Sequence, residues 1–319
     1  MWLLRKKARR AAGRVSNFLL PRPNSVRYDM TLDEECKDCL YNSQMKKVEK
    51  GRPDGAKFAE FKKEVRALCD NPPETYCAPL LMRDIDGLHR KIFGSGIDYS
   101  AEKKMFNSAV LNMEGELFAR ISHQSADPVA EAIRYAAAAN YIDFAKLSDL
   151  SEDSLKIVEE AARKAEVSNN TLALLKSRLS SAKTLLYVHD NCGEVVFDKI
   201  FIRVIKKLYP QIAITSLVRG GEIINDATRA DADFIGLSKY AAVQDSGEAV
   251  PGTYLNELAP QALALFENSD VIISKGLGNL ETLYGEGYDI FYIFMCKCAH
   301  IAKRFGYLQW QTAFVHEGK

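Results

Sequence analysis

The chain has no excess of charge of either sign. Its 319 residues carry 43 Lys and Arg against 42 Asp and Glu, for a formal net charge of +1. That balance removes the general electrostatic case for a nucleic-acid partner, which needs a basic surface to displace counterions. Long apolar runs are also missing. Nothing approaches the roughly 20 residues that a membrane-spanning helix needs, and no secretory apolar core is evident. The cysteines are few, odd in number and scattered: Cys36, Cys39, Cys69, Cys77, Cys192, Cys296 and Cys298. They do not read as the disulfide framework of a small secreted domain. The expected compartment is therefore the cytoplasm. There is no internal repeat and no low-complexity tract. What is present is ordinary globular composition, 47% hydrophobic and 27% charged, long enough for one large domain or two modest ones.

The one biased segment is the first. "MWLLRKKARRAAGRVSNFLL" holds six Lys or Arg and no acid, with apolar residues at both ends. It reads as a basic arm over residues 1–30. Such an arm is either solvated, or a weakly amphipathic helix suited to an anionic membrane surface, or similar to an organelle transit sequence. Pro21 and Pro23 end it.

From 31 to 181 the pattern is helical, and a helical domain is expected there. "FAEFKKEVRALC" puts Phe58, Phe61, Val65 and Leu68 on one stripe, and "EKKMFNSAVLNMEGELFARI" does the same with Met105, Phe106, Val110, Met113, Leu117 and Ile121. Asp127 and Pro128 are an N-cap and first-position pair. "SEDSLKIVEEAARKA" starts another capped helix near Ser151 or Asp153.

The texture changes at about Ala182. Short apolar runs, "LLYVHD", "IAITSLV", "DFIGL", "VIISKG" and "IFYIFM", alternate with helical patterns. The pattern predicts an α/β domain over 182–319, with an open, mostly parallel, Rossmann-like sheet of α/β/α layers.

Ligands of open α/β sheets sit beyond the carboxyl ends of the strands. Three polar clusters fall at such ends: Asp190 and Asn191; Asn225 and Asp226; and Ser274, Lys275, Gly276, Gly278 and Asn279. Each alone reads as readily as a turn or helix cap; their repetition is the signal. Asp190, Asn191 and Asp226 offer hard oxygen donors that suit Mg²⁺ or Mn²⁺ with retained waters, and tolerate Co²⁺ and Ni²⁺. Gly220 and Gly221 in "VRGGE", with Gly276 and Gly278 in "SKGLGN", let backbone amides approach an anion. Lys275 would supply a positive charge to a phosphate oxygen. Together these describe a phosphoryl site. His189 reads as a packed strand-end residue, and Glu194 as a first-turn acid favoured by the helix dipole.

"DNCGEVVFDK", "VRGGEIINDATRADA", "SKGLGNLETL" and "FYIFMCKCAHIAKRFG" together resemble the damage-control phosphatase family, also described as DUF89 or ARMT1-like proteins. The resemblance covers roughly residues 30 to 316 and is strongest after Ala182. "CKDCLYNSQ" is similar to the prokaryotic subgroup with an early C-x-x-C. The resemblance implies a metal-dependent phosphatase acting on small phosphorylated metabolites, with metal residues at Asp190, Asn191 and Asp226 and a motif lysine at Lys275. Two neighbours depart from the family pattern: Cys192 stands where Ala is common and Leu277 where Gln is frequent. Asn140 and Asp143, three apart in "AAANYIDF", read as capping or solvated residues on their own; the resemblance places them at the pocket mouth.

Cys36 and Cys39 are either half of a structural metal site, a redox pair, or two small packed residues. Cys296 and Cys298 alternate on what reads as an inner strand. Two further function classes remain open from the residues alone: a small-molecule methyltransferase, and a non-catalytic phosphometabolite-binding protein.

Overall fold

The computed structural model describes residues 30–140 and 152–318. Asp143 and all of the basic arm except Met30 lie outside the described residues.

Helices α1 (Glu34–Lys50), α2 (Gly55–Asp70) and α3 (Ala78–Phe93) form a first packed unit. Asp33 and Asp54 cap α1 and α2 by accepting first-turn amides. The stripe expected on α2 is real. Phe61 and Val65 are buried against Met45, Val48, Leu81 and Ile85, and Phe58 and Leu68 pack at the margin. The next predicted helix is broken. It runs as α4 (Ser100–Leu111) and α5 (Glu114–Ala119), with a wide π turn over Arg120–Gln124. Within α4 the buried stripe runs through Lys103, Phe106, Asn107 and Val110, and Met105 lies off it, 39% exposed. Asp127 caps α6 (Pro128–Ala138), as its Pro partner suggests. Two helices, α7 (Glu152–Lys164) and α8 (Asn169–Ser181), lead into the sheet.

The sheet alternates with helices: β1 (Thr184–Val188), α9 (Glu194–Leu208), β2 (Ala213–Val218), α10 (Arg229–Phe234), β3 (Ala242–Asp245), α11 (Pro260–Asn268), β4 (Val271–Lys275), α12 (Leu277–Leu283), β5 (Ile290–Met295), α13 (Ala299–Phe305) and β6 (Thr312–Glu317). The strand order is β3-β2-β1-β4-β5-β6. Every pairing is parallel except the antiparallel β5–β6 edge pair. Helices cover both faces, so β1 is apolar and buried from Leu185 to Val188. Leu185 and Tyr187 face a core shared with α4, α6 and α9 through Phe106, Ile133, Val196 and Ile200. Leu186 and Val188 face α11, α12 and α13 through Phe266, Leu280 and Ile301.

Two strand expectations are corrected. "DFIGL" is not a strand. A capping box between Thr228 and Asp231 starts α10, and Gly236, at φ 67°, ends it in the left-handed region. The strand is the following Ala242–Asp245. Cys296 and Cys298 do not alternate on a strand, because β5 ends at Met295 and Cys298 caps α13. No described helix is long and apolar enough to cross a membrane.

The chain leaves β1 for β2 on one side and reaches β4 on the other, so the connections diverge between β1 and β4. A crevice opens beyond the carboxyl ends of strands that part in this way.

Candidate active site

The sheet builds the site with backbone before side chains. After β1, the His189 amide still donates to Leu217. The next residues then pair with the loop that follows β2. Ala227 N donates to Asp190 O at 2.8 Å, Cys192 N donates to Asn225 O at 2.9 Å, and Asn191 and Asp226 form an antiparallel bridge. Two loops far apart in sequence are zipped together, so Asp190, Asn191 and Asp226 share one place.

Arg219, which follows β2 and is fully buried, ties the place together. Its Nε donates to Asp226 Oδ2 at 2.6 Å, and its Nη2 lies 3.8 Å from Asp190 Oδ1. Thr253 and Asn279 accept its other donors at 3.0 and 3.1 Å. Asn279 in turn donates to the carbonyls of His189 and Lys275 at 2.9 and 2.6 Å. Asn279 thus holds the strand ends and Arg219 in register.

Beneath lies a second buried network. Lys275 is 0% exposed, with Nζ 2.9 Å from Asp198 Oδ1 and 3.2 Å from Glu194 Oε2. Tyr187 OH donates to Asp198 at 2.9 Å, and His189 Nδ1 meets its other oxygen at 3.0 Å. Asn140 donates to Glu194. Burial works against the Lys275 charge, but Asp198 and Glu194 hold its pKa above the ordinary lysine value. Asp198, although buried, sits below the usual carboxylate range because Lys275 and His189 favour its charge.

Near the cavity the balance reverses. Burial pushes Asp190 well up, and the charges of Glu194 and Asp226 push it further against Arg219 and Lys297. Burial also raises Glu194, against Lys275 and Lys297. Asn191 Nδ2 donates to Asp190 Oδ2 and to Glu194 Oε1, both at 3.1 Å. Two carboxylate acceptors orient the amide, so its carbonyl oxygen is the atom left to coordinate a cation or accept a hydrogen bond.

Asp190, Asn191 and Asp226 line a cavity of about 1040 Å³ between the sheet and the first helices. Gly278, Glu281 and Lys297 complete the sheet side; Lys47, Lys50, Met82, Tyr99, Glu102 and Met105 come from α1, α3 and α4 and the turn before α4. Burial pushes the half-buried Glu281 up to about 8, with the Cys298 charge adding to it.

Of the expected site residues, the structure brings Asp190, Asn191, Asp226 and Gly278 to the cavity. Gly276, at φ +84°, lies against Asp190: a Cβ there would coincide with its carboxylate. Lys275 stands elsewhere, with its ammonium group beneath the floor. Ser274 is fully buried in β4 with no hydrogen-bond partner for its hydroxyl. Gly220 is a packing glycine, since a Cβ there would fall 2.5 Å from the backbone at Gly247 and Glu248. Gly221 packs against Ala249. Asn140 is buried behind Glu194, and Asp143 lies outside the described residues. Sequence reasoning missed Arg219, Asp198, Lys297 and Glu281. The first two left a signal: Arg219 directly continues an apolar strand, and Asp198 sits one turn from Glu194 on an otherwise apolar helix face.

Among the described residues, no three His, Cys, Asp or Glu side chains converge closely enough to enclose a metal ion. The donors at the cavity end are two carboxylates and one amide oxygen. That set fits a hard divalent cation that keeps most of its waters, as Mg²⁺ and Mn²⁺ do, rather than a closed zinc cage. Burial first, and then the charges of Glu194 and Asp226, raise Asp190, and such a cation would offset that crowding of acids.

Comparison with known proteins gives a consistent picture. A family model described as the damage-control phosphatase ARMT1-like domain matches residues 32–309. An uncharacterized protein of Methanocaldococcus jannaschii is 34% identical over 174 residues, 53% of this chain and 56% of that protein. A damage-control phosphatase of Pyrococcus horikoshii is 33% identical over 174 residues, 54% of this chain and 59% of the relative. One from Archaeoglobus fulgidus is 30% identical over 230 residues, 69% of this chain and 76% of the relative. The chain thus spans little more than half the length of the first two. The crystal structure of a DUF89 family protein from P. horikoshii has a TM-score of 0.76 at 25% identity, covering 90% of this chain and 99% of that one.

Proposed function

Since the chain belongs to the damage-control phosphatase ARMT1-like family, we propose that it is a metal-dependent phosphomonoesterase acting on a small phosphorylated metabolite. One observation carries the reading: Asp190, Asn191 and Asp226 are zipped together at the end of a cavity of about 1040 Å³.

Asp190, Asn191 and Asp226 would hold the divalent ion. When bound, it would polarise a phosphoryl oxygen and make water a better nucleophile at neutral pH. The remaining work falls to the chain. Lys297, on the cavity wall, faces the same end as Asp190 and supplies positive charge where the phosphoryl group would lie. Lys47 and Lys50 add positive charge on the opposite wall. Lys275 acts as a positioning residue: it fixes Glu194, and Glu194 fixes the Asn191 amide. Arg219 aligns Asp226 in the same way. Glu281 lines the cavity, and burial raises its pKa to about 8, which suits it to return a proton to the departing alkoxide.

The test is a panel of sugar phosphates and other small phosphomonoesters, assayed with EDTA and then with Mg²⁺, Mn²⁺, Co²⁺ or Ni²⁺. Phosphate release should vanish with EDTA and return with a divalent ion. Asp190→Asn should abolish it without loss of the folded state. Full turnover in EDTA, or an active D190N variant, would overturn the reading. Tight metabolite binding with no turnover would favour a sensor instead.

A further inference from the structure

The early C-x-x-C is not used by the phosphoryl site. Cys36 lies in the first turn of α1, which the Asp33–His300 ion pair sets against the start of α13, where Cys298 is the cap. That contact joins the first described helix to the turn after β5, with His300 Nδ1 2.9 Å from Asp33 Oδ2, and the Cys36 thiol also reaches Asp33. Neither sulfur is sealed away: Cys36 and Cys298 are both partly exposed, and Cys39, three residues further along α1, is exposed.

We propose that Cys36 and Cys298 are a thiol–disulfide exchange site, closing a reversible cross-link between α1 and the β5–α13 turn. The Asp33–His300 pair already holds the first turn of α1 against the first turn of α13, and the Cys36 amide donates to the same Asp33 at 2.7 Å, so the two cysteines stand at one junction. The pair is also polarised. The Cys36 hydrogen bond, against burial, brings Cys298 down to about 6, helped by the Ile301 and His300 amides and the His300 charge. Cys36 is raised by the same bond and so keeps its proton. Cys69 and Cys192 are buried and pushed up, chiefly by that burial, and Cys296 reaches about 11 for the same reason. Burial thus works against a thiolate at Cys69, Cys192 and Cys296, and it is overcome at Cys298.

The co-reactant is a low-molecular-weight disulfide. The Cys298 thiolate attacks one of its sulfurs, breaking that S–S bond and releasing one thiolate. Cys36 then gives its proton to the adjacent Asp33–His300 pair and attacks the Cys298 sulfur. The Cys36–Cys298 bond forms as the second small thiolate leaves. One disulfide is reduced and two protein thiols are oxidised.

The cross-link would set the cavity wall. Lys297 directly precedes Cys298, and α1 supplies Lys47 and Lys50. Oxidation would fix the two sides of the cavity to each other.

The experiment uses the full chain, incubated with oxidised glutathione and digested without reduction. The expected product is a peptide pair linked through Cys36 and Cys298, reversed by dithiothreitol. Iodoacetamide labelling of Cys298 in the reduced protein should rise with a midpoint near pH 6. Closing so long a loop should raise Tm by about 5–10 °C. Cys39→Ser should keep the link and Cys298→Ser should lose it. A Cys36–Cys39 bond instead, glutathione retained on Cys39 alone, or one tightly held zinc that protects both thiols would each overturn the proposal. Mapping of the unaltered protein decides it even if a variant fails to fold.

Discussion

Replacing Lys275 with Met separates two roles for this lysine. If it gripped phosphate, the loss would appear in KM, and stability would hardly change. The structure places it instead between Asp198 and Glu194, fully buried, with Nζ 2.9 and 3.2 Å from their oxygens. Met matches the stem but removes the charge and leaves two buried acids without their cation. Breaking a buried pair in this way costs about 3–5 kcal/mol, a large share of the roughly 5–15 kcal/mol that holds a typical domain together. The pH dependence is the sharper signature. In the unaltered protein, Asp198 is depressed, so its stabilising contribution is present above its unfolded value of 3.8 and fades as pH falls through its lower folded pKa. In K275M, both acids are raised above their unfolded values. Their ionisation then opposes folding at neutral pH, and that penalty shrinks as acidification protonates them. Urea denaturation at pH 5 and pH 7.5 measures the difference. The variant's deficit should be about 3–5 kcal/mol at pH 7.5 and clearly smaller at pH 5. A deficit below about 1 kcal/mol at pH 7.5, with KM for the phosphoester raised, would refute the buried positioning role.

Gly276→Ala should be nearly as damaging to activity as loss of Asp190, because the new Cβ takes the space of that carboxylate and φ is positive; backbone strain of about 1–2 kcal/mol adds to the displacement, and a crystal structure with Asp190 unmoved would contradict this. Glu248 has one buried carboxylate oxygen without a partner and is pushed up to about 7, chiefly by burial. The unaltered protein should therefore lose stability as pH rises from about 4.5 towards 8, and Glu248→Gln should gain about 2–3 kcal/mol over it between pH 5 and 8; parallel stability curves would count against it. Glu281→Gln should lower kcat by about 10²-fold and abolish an alkaline limb with a midpoint near pH 8; an unchanged limb would assign the proton to another group.

Buried strands were legible because both of their faces are covered. "LLYV", "VII" and "IFYIFM" are continuous apolar runs and appear in β1, β4 and β5. β3 is a four-residue, half-exposed edge strand, "AVQD", with no such run to betray it. "DFIGL" has the run but belongs to a capped helix end, where local hydrogen bonding outweighs apolar content. The oxygen donors were legible for a related reason, since polar residues that interrupt buried strands at their ends stand out. Lys275 stood out equally, but its buried pairing with Glu194 and Asp198 did not. Its partners lie on α9, and only the three-dimensional packing shows Glu194 and Asp198 beneath the strand end. Gly220 fell the same way, because a glycine beside a polar motif looks alike whether it faces a ligand or a neighbouring loop.

The pairing of residues 190–192 with 225–227 has a consequence for how the proposed cation would be met. The donors are carried on a short ladder of peptide hydrogen bonds that belongs to the folded chain itself. Chelation should leave amide exchange along both loops nearly as slow as in the loaded protein, and binding should proceed without the kinetic lag of a site that must first assemble.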